Sequence, residues 1–116
     1  MKINDIVVQM DKFKLYGVGN ALLDYEYLVD DQTLRDLEIE KGTMLLNEHE
    51  KHLQIHNLLK EKYDSQKIMP GGSVANSVYA MAKFGDQVCF AGKVSKDETG
   101  DKFISSIKQS GIHSDV

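Results

Sequence analysis

The sequence predicts an α/β fold built around a largely parallel sheet. Short apolar segments typical of buried strands alternate with longer segments of helical periodicity, and glycine follows two of those helical segments where a left-handed cap is expected. No linker, repeat or low-complexity tract divides the 116 residues, a length typical of one domain. A strand–helix–strand–helix order favours crossover connections between parallel strands.

The first half of the chain is expected to contain a strand, a ribbon and a helix. The segment "FKLYGVGNALLDYEYLV" (13–29) has apolar residues around a glycine turn, which predicts a buried strand and then an extended ribbon. "GTMLL" (42–46) is a candidate second short strand. "NEHEKHLQIHNLLKEKY" (47–63) is predicted to be helical, with Asn47 and Glu50 spaced as a capping box. The expected buried face of this helix comprises Leu53, Ile55, Leu58, Leu59 and Tyr63.

The second half shows clearer periodicity. "QKIM" (66–69) is a predicted strand that runs into Pro70, and an apolar helix follows it, ending at a cap on Gly85. The apolar stripe of that helix comprises Val74, Val78, Met81 and Ala82. "QVCFAGKV" (87–94) is strand-like, and "GDKFISSIKQSG" (100–111) is predicted to form the last helix. One face of the last helix carries Phe103, Ile104 and Ile107, and Gly111 follows it.

Composition and charge exclude several classes of protein. Hydrophobic residues make up 41% of the chain and charged residues 28%, which is ordinary for a folded domain, and the net charge of −4 gives no electrostatic footprint for nucleic acid. No apolar run approaches a membrane span, and the first residues, "MKINDIVVQMDKFKL", do not resemble a secretion signal. The single cysteine, Cys89, cannot form an intramolecular disulfide. A cytoplasmic protein is expected.

The segment "MPGGSVANSVYAMAKFG" (69–85) is the first candidate ligand site. Gly71 and Gly72 directly precede an apolar helix, and Asn76 lies about 200° around that helix from the valines of its stripe, so it points away from the core. A helix start without side chains in front of it attracts oxygen-rich ligands. The alternative is a plain turn in which Gly72 or Ser73 caps the helix and Asn76 is solvated.

The second candidate is "GVGNALLD" (17–24). Its two glycines permit close backbone approach, and Asp24 has a carboxylate suited to accepting two hydrogen bonds from a vicinal diol. The alternative for Asp24 is a turn or capping aspartate. Leu22 occupies the position where a dinucleotide-binding fingerprint needs its third glycine, which disfavours a dehydrogenase-type module.

The remaining candidates have structural explanations. Asp97 is expected to cap the last helix rather than to bind a ligand. His49, His52 and His56 share one helical face, but lysines surround them and no cysteine cluster accompanies them, so a solvated face is expected and no metal site is predicted. Cys89 lies inside an apolar strand and is expected in the core.

Together these motifs resemble the ribokinase family, also called PfkB-type carbohydrate kinases, and its adenosine-kinase-like branch. The resemblance rests on "GVGNALLD", "GGSVAN" and "FAGKVSKDETGDKF" in that order, and extends from about Leu15 onward. It implies a ribokinase-like, Rossmann-type parallel sheet flanked by helices, with a small β lid whose strands lie roughly within 24–46. Residues 1–116 would be the N-terminal part of that domain. Val74, Val78 and Ser95 stand where the family usually has smaller residues.

The resemblance implies roles for individual residues. Asp24 is similar to the aspartate that holds sugar hydroxyls, and Gly71 and Gly72 to the pair that lets the sugar lie against the backbone. Asn76 is similar to the asparagine that bonds a sugar hydroxyl, whereas Asn20 matches the motif but is expected to shape the turn. The lid would cover the sugar, and it is also a possible homodimer contact.

The resemblance also implies an activity, the ATP-dependent phosphorylation of the primary hydroxyl of a sugar or ribonucleoside. Adenosine is the preferred acceptor, with ATP and Mg²⁺ as cofactors and no membrane or nucleic-acid partner. The family's catalytic Gly-Ala-Gly-Asp motif has no counterpart here, because the sequence contains no G-x-G-D. No catalytic, cofactor-binding or metal-binding residue is therefore assigned, and the 116 residues alone are expected to be inactive. The alternative is a non-catalytic sugar- or nucleoside-binding or dimerisation module.

Overall fold

The structure, a computed structural model, describes residues 12–63 and 66–116 and has an α/β architecture. In chain order its elements are β1 (Leu15–Val18), β2 (Leu22–Tyr27), α1 (Asp31–Asp36), α2 (His49–Lys62), β3 (Gln66–Gly71), α3 (Ser73–Lys83), β4 (Val88–Ala91), α4 (Glu98–Gln109) and β5 (His113–Asp115). The chain divides into two compact units. Unit 1 comprises Met1–Asp24 and Met69–Val116, and unit 2 comprises Tyr25–Ile68. Within the described ranges, no helix is long and apolar enough to span a bilayer.

Unit 1 contains a three-stranded parallel sheet with strand order β1-β4-β5. Leu15 lies opposite Val88, and Cys89 lies opposite His113. Helix α3 leads into β4 and helix α4 connects β4 to β5, which are the crossovers that parallel pairing requires. The predicted parallel sheet with flanking helices is therefore confirmed.

The core of unit 1 lies between this sheet and the two helices. Its buried members are Ala75, Val78, Val88, Phe90, Phe103, Ile107 and Ile112. The rings of Phe90 and Phe103 pack 5.4 Å apart at 58°, and each such side chain contributes about 1.5–3 kcal/mol by burial. The predicted apolar faces of both helices are confirmed, since Val78, Phe103 and Ile107 are almost completely buried. Cys89 is fully buried, as expected, and burial raises the pKa of its thiol.

Both long helices of unit 1 end as their sequences predict. Gly85 follows α3 with a φ of 92°, and Gly111 follows α4 with a φ of 76°, values in the left-handed region that glycine adopts without strain. Asp97 caps α4, because its Oδ1 accepts a hydrogen bond from the Gly100 amide at 2.8 Å. The capping role predicted for Asp97 is confirmed.

Two glycines allow α3 to approach β1 closely. A Cβ on Gly17 would lie 2.6 Å from Val78 Cγ2 and 2.7 Å from Val74 Cγ1, and a Cβ on Gly19 would lie 2.8 Å from Val74 Cβ. The close backbone approach expected at "GVG" is therefore a contact between this segment and helix α3. The two valines that depart from the family's small residues fill the space that the glycines leave.

Unit 2 is organised around a buried polar residue. Thr33, only 1% exposed, has its Oγ1 at 2.6 Å from the Tyr63 hydroxyl and accepts a hydrogen bond from Lys62 Nζ, also at 2.6 Å. The carboxylate of Asp30 caps α1 by accepting a hydrogen bond from the Thr33 amide, and this bond lowers the pKa of Asp30. Short α1 is held by side-chain hydrogen bonds at its start and at its centre.

Two local predictions in unit 2 are wrong. Residues 42–46 form no strand, and the side chains of Met44 and Leu46 are 84% and 91% exposed. A short apolar run becomes a strand only where a neighbouring strand supplies hydrogen-bond partners, and none of the described strands pairs with it. The N-cap of α2 is Glu48 rather than Asn47, and it makes no side-chain capping bond. The predicted capping box therefore does not form.

Three of the five residues predicted to form the buried face of α2 are half-buried and none is fully buried, so this prediction holds only in part. Leu53 and Leu58 are 43% and 42% exposed. The helix packs on β2 through rings instead: His56 lies edge-on to Tyr25 with centroids 4.7 Å apart, and its Nδ1 is 3.4 Å from the Tyr27 hydroxyl. The predicted extended ribbon begins with β2, which pairs with β3 in a two-stranded sheet separate from β1-β4-β5.

A side-chain hydrogen bond joins the outer strands of the main sheet. The Tyr16 hydroxyl on β1 donates to Asp115 Oδ2 on β5 at 2.5 Å. This bond, and secondarily burial, raises the pKa of the Tyr16 hydroxyl above its ordinary value. Since β4 lies between β1 and β5, the bond ties together all three strands.

Replacing Tyr16 with phenylalanine should weaken the fold and reduce its sensitivity to alkali. The folded chain holds the Tyr16 proton more tightly than the unfolded chain does, so this contribution is complete below pH of about 10 and is lost as the pH rises. At pH 7 the variant should lose about 1 kcal/mol of unfolding free energy, the size expected for one partly exposed hydrogen bond to a carboxylate. Urea unfolding from pH 7 to 11 measures both effects.

The matched control is Tyr79→Phe, because the Tyr79 hydroxyl, which is on α3, makes no side-chain hydrogen bond to another described residue. If the unfolding free energy fell equally steeply with rising pH in Tyr16→Phe and in the parent chain, the raised pKa could not be assigned to Tyr16.

Candidate functional site

The carboxylate of Asp24 lies directly against the backbone of Gly71. Asp24 is the third residue of β2, and Gly71 is the buried last residue of β3. A Cβ on Gly71 would lie 2.5 Å from Asp24 Cγ and 2.7 Å from Oδ1, and closer still to Oδ2. Only glycine leaves room for the carboxylate at this position.

Asp24 differs from the capping aspartates of the chain. Asp30 and Asp97 each accept a hydrogen bond from a backbone amide of their own helix. Asp24 lies within a strand and is exposed, and no hydrogen bond or ion pair joins its carboxylate to another side chain in residues 12–63 and 66–116. The carboxylate therefore keeps the capacity to accept hydrogen bonds from a ligand.

The start of α3 presents backbone amides beside the glycine pair. Gly72 is the N-cap, with φ 91° and ψ 149°, and it makes no side-chain capping bond. The carbonyl of Gly72 accepts the Asn76 amide at 3.0 Å, the first bond of the helix. The amides of Ser73, Val74 and Ala75 precede that bond and have no partner within the helix. This positive helix end suits an oxygen-rich ligand.

Asn76 is the fourth residue of α3 and is exposed, as its angular position in the sequence predicts. Its neighbour Ala75 is buried, whereas the Asn76 amide group makes no hydrogen bond to another side chain of the described residues. The structure brings Asp24, Gly71 and Gly72 into one place. Asn76 belongs to the first turn of the helix that starts there.

A cleft of about 650 Å³ lies at the carboxyl ends of β1 and β4 in unit 1. Its lining includes Gly19, Asn20, Leu22, Gly92, Lys93 and Asp115. The cleft adjoins the glycine pair, because the Asn20 carbonyl oxygen lies 3.5 Å from the position of a Cβ on Gly72. Ligands of parallel α/β sheets bind at this end of the strands.

Lys93 and Asp115 line this cleft but are not among the site residues that the sequence predicts. The signal for Lys93 is its position two residues after β4, at the carboxyl end of a predicted central strand. Asp115 is the last residue of β5, a three-residue segment too short to be predicted as a strand, so the sequence offers no comparable signal for it.

The three histidines lie in unit 2. His49 and His52 are exposed, and the ring of His52 is stacked on that of His56 with centroids 6.1 Å apart. In the part of the chain that the structure describes, no group of three His, Cys, Asp or Glu side chains is arranged to hold a metal ion.

The fold and the site define an α/β protein that presents a carboxylate, a glycine pair and a helix start beside the carboxyl ends of a parallel sheet. The family model described as "pfkB family carbohydrate kinase" matches residues 44–116. The chain therefore belongs to the PfkB family, which confirms the resemblance drawn from its motifs.

Individual relatives give the same family and fold. The chain is 28% identical to adenosine kinase 2 of Arabidopsis thaliana over 102 residues, which are 85% of this chain and 29% of that protein. It is similar to a probable sugar kinase of Rhizobium etli CFN 42, with 31% identity, a TM-score of 0.67, and coverage of 89% of this chain and 30% of the other. The chain is 26% identical to adenosine kinase of Trypanosoma brucei brucei, with a TM-score of 0.73. That match covers 89% of this chain and 32% of the other. The chain thus spans less than a third of the length of these relatives.

Replacing Gly71 with alanine should destabilise the chain by about 1–3 kcal/mol, because the new Cβ forces the Asp24 carboxylate out of its position. The cost should be largely absent in the Asp24→Ala background, where the clash no longer exists. Urea unfolding of the four chains of this double-mutant cycle measures the coupling energy. Additive effects of the two substitutions would show that the carboxylate does not lie against Gly71.

Proposed function

We propose that this chain forms the acceptor-binding part of a kinase that transfers the γ-phosphoryl group of ATP to the primary hydroxyl of a sugar or ribonucleoside, with adenosine as the preferred acceptor. The observation that carries the proposal is the Asp24 carboxylate lying on Gly71 beside the uncapped start of α3. Membership of the PfkB family and likeness to adenosine kinases support it.

Asp24 provides the recognition of a diol. A carboxylate accepts two hydrogen bonds at once, and the two hydroxyls of a vicinal diol are spaced to donate them. The absence of side chains at Gly71 and Gly72 lets a flat ring approach the backbone next to that carboxylate. The glycine pair therefore makes room for the ring, and Asp24 fixes the orientation of the ring.

The start of α3 and Asn76 add polar groups beside the glycine pair. Backbone amides at the helix start donate to ligand oxygens, and the Asn76 side chain both donates and accepts. A ribose held by its diol projects its hydroxymethyl group away from Asp24. The binding site thereby presents the primary hydroxyl for reaction.

The choice between a sugar and a nucleoside rests on the relatives. Two of the three reported relatives are adenosine kinases and one is a probable sugar kinase. The motif "GNALLD" is similar to that of the adenosine-kinase-like branch, which favours a ribonucleoside over a plain sugar.

ATP and Mg²⁺ are the expected cofactors of the intact enzyme. In the part of the chain that the structure describes, no three His, Cys, Asp or Glu side chains are arranged to hold a metal ion, and the sequence has no G-x-G-D. We therefore assign to this chain the binding and orientation of the acceptor, and we assign no step of phosphoryl transfer to its residues.

Replacing Asp24 with asparagine should weaken adenosine binding about tenfold or more, because one acceptor oxygen becomes a donor and the charge is lost. Isothermal titration calorimetry of the chain with adenosine measures this. Asp101→Asn makes the same change on an exposed position of α4 and should leave the affinity unaltered. Equal weakening in both variants would contradict the role of Asp24.

The 116-residue chain should not consume ATP in the presence of adenosine and Mg²⁺, since its sequence lacks the G-x-G-D motif whose aspartate is expected to accept the hydroxyl proton. A coupled assay of ADP formation is the measurement. Adenosine-dependent turnover that disappears in Asp24→Asn would show that the chain itself contains the catalytic base.

A non-catalytic dimerisation module is the second candidate. Unit 2 exposes apolar side chains that a partner surface would cover, with Leu28 and Leu46 each 91% exposed and Met44 84% exposed. The two functions differ in their need for Asp24. Dimerisation through unit 2 does not require that carboxylate, whereas adenosine binding does.

A further inference from the structure

Lys93 is a cation without a counter-ion in the cleft at the sheet end. It lies two residues after β4 and is exposed, and it lines two clefts of unit 1, the one of about 650 Å³ and a smaller one of about 230 Å³. Among residues 12–63 and 66–116, no carboxylate forms an ion pair with Lys93.

The two acids that line these clefts are engaged elsewhere. Asp115 accepts the Tyr16 hydroxyl through Oδ2, and Asp97 accepts the Gly100 amide through Oδ1. Each carboxylate is therefore fixed in position by a donor of its own. The ammonium of Lys93 remains free to bind an anion that enters the cleft.

The acceptor and the product of the proposed reaction differ in charge. Adenosine and simple sugars are neutral, whereas the phosphorylated product carries a charge of about −2 near neutral pH. A ribose on the glycine pair would extend its hydroxymethyl end away from Asp24, and the cleft that contains Lys93 begins at Asn20, next to Gly72.

We infer that Lys93 binds the phosphate group of the phosphorylated product, a nucleoside or sugar monophosphate, and so determines how strongly the chain prefers that product over the neutral acceptor. This inference rests on the proposed function for the position of the sugar. The ammonium forms an ion pair with the phosphate group, which the neutral acceptor cannot form.

The test compares the dissociation constants of adenosine and adenosine 5′-monophosphate, measured by calorimetry on the chain and on Lys93→Gln. The preference for the monophosphate, expressed as the ratio of the two constants, should fall about tenfold in Lys93→Gln, the effect of losing one hydrogen bond to a charged group. Lys93→Arg should retain most of the preference. Lys108→Gln removes the same charge from the exposed last turn of α4 and should leave the ratio unchanged.

A ratio that is the same in Lys93→Gln and in the parent chain overturns the inference while leaving adenosine binding through Asp24 intact. If adenosine does not bind at all, the proposed function fails, and Lys93 is then tested with inorganic phosphate alone. Titration followed by NMR should shift the amide signals of Gly92 and Lys93 in the parent chain and not in Lys93→Gln. Absence of those shifts in the parent chain also overturns the inference.

Discussion

Helix α3 lies so close to β1 that no side chain fits between them at Gly17 and Gly19, and the arrangement of unit 1 follows from this contact. Val74 and Val78 fill the space that the two glycines leave. The helix therefore starts beside the carboxyl end of β1, where the Asn20 carbonyl faces Gly72. A larger residue at either glycine would lift the helix from the strand and move its free amides away from the sheet edge.

The same principle, absence of a side chain at a defined point, produces the candidate site. Gly71 leaves room for a carboxylate, and Gly72 adopts a backbone conformation that other residues reach only with strain. Asp24 and the start of α3 bring a negative group and a positive helix end next to the same stretch of backbone. A site of this kind can accept hydrogen bonds from hydroxyls and donate them to ring or hydroxyl oxygens, which is the chemistry that a polyhydroxylated ligand needs.

The two units differ in what stabilises them. Unit 1 has an apolar core of interlocking aromatic and branched side chains around Phe90. Unit 2 has a buried threonine with polar partners and aromatic rings packed around His56, and it exposes Leu28, Met44 and Leu46. Because few apolar side chains are buried in unit 2, its local stability should be lower than that of unit 1.

Local periodicity and backbone chemistry are enough to specify several features of this chain. These are the α/β class, the apolar faces of α3 and α4, the glycines that end both helices, and the outward position of Asn76. Contacts between groups far apart in the chain depend instead on how the folded elements pack together. The contact of Asp24 with Gly71 and the bond between Tyr16 and Asp115 join segments 47 and 99 residues apart, so no local pattern specifies them. The strand expected at 42–46 failed for the same reason, because pairing depends on a neighbouring strand and not on the composition of the segment.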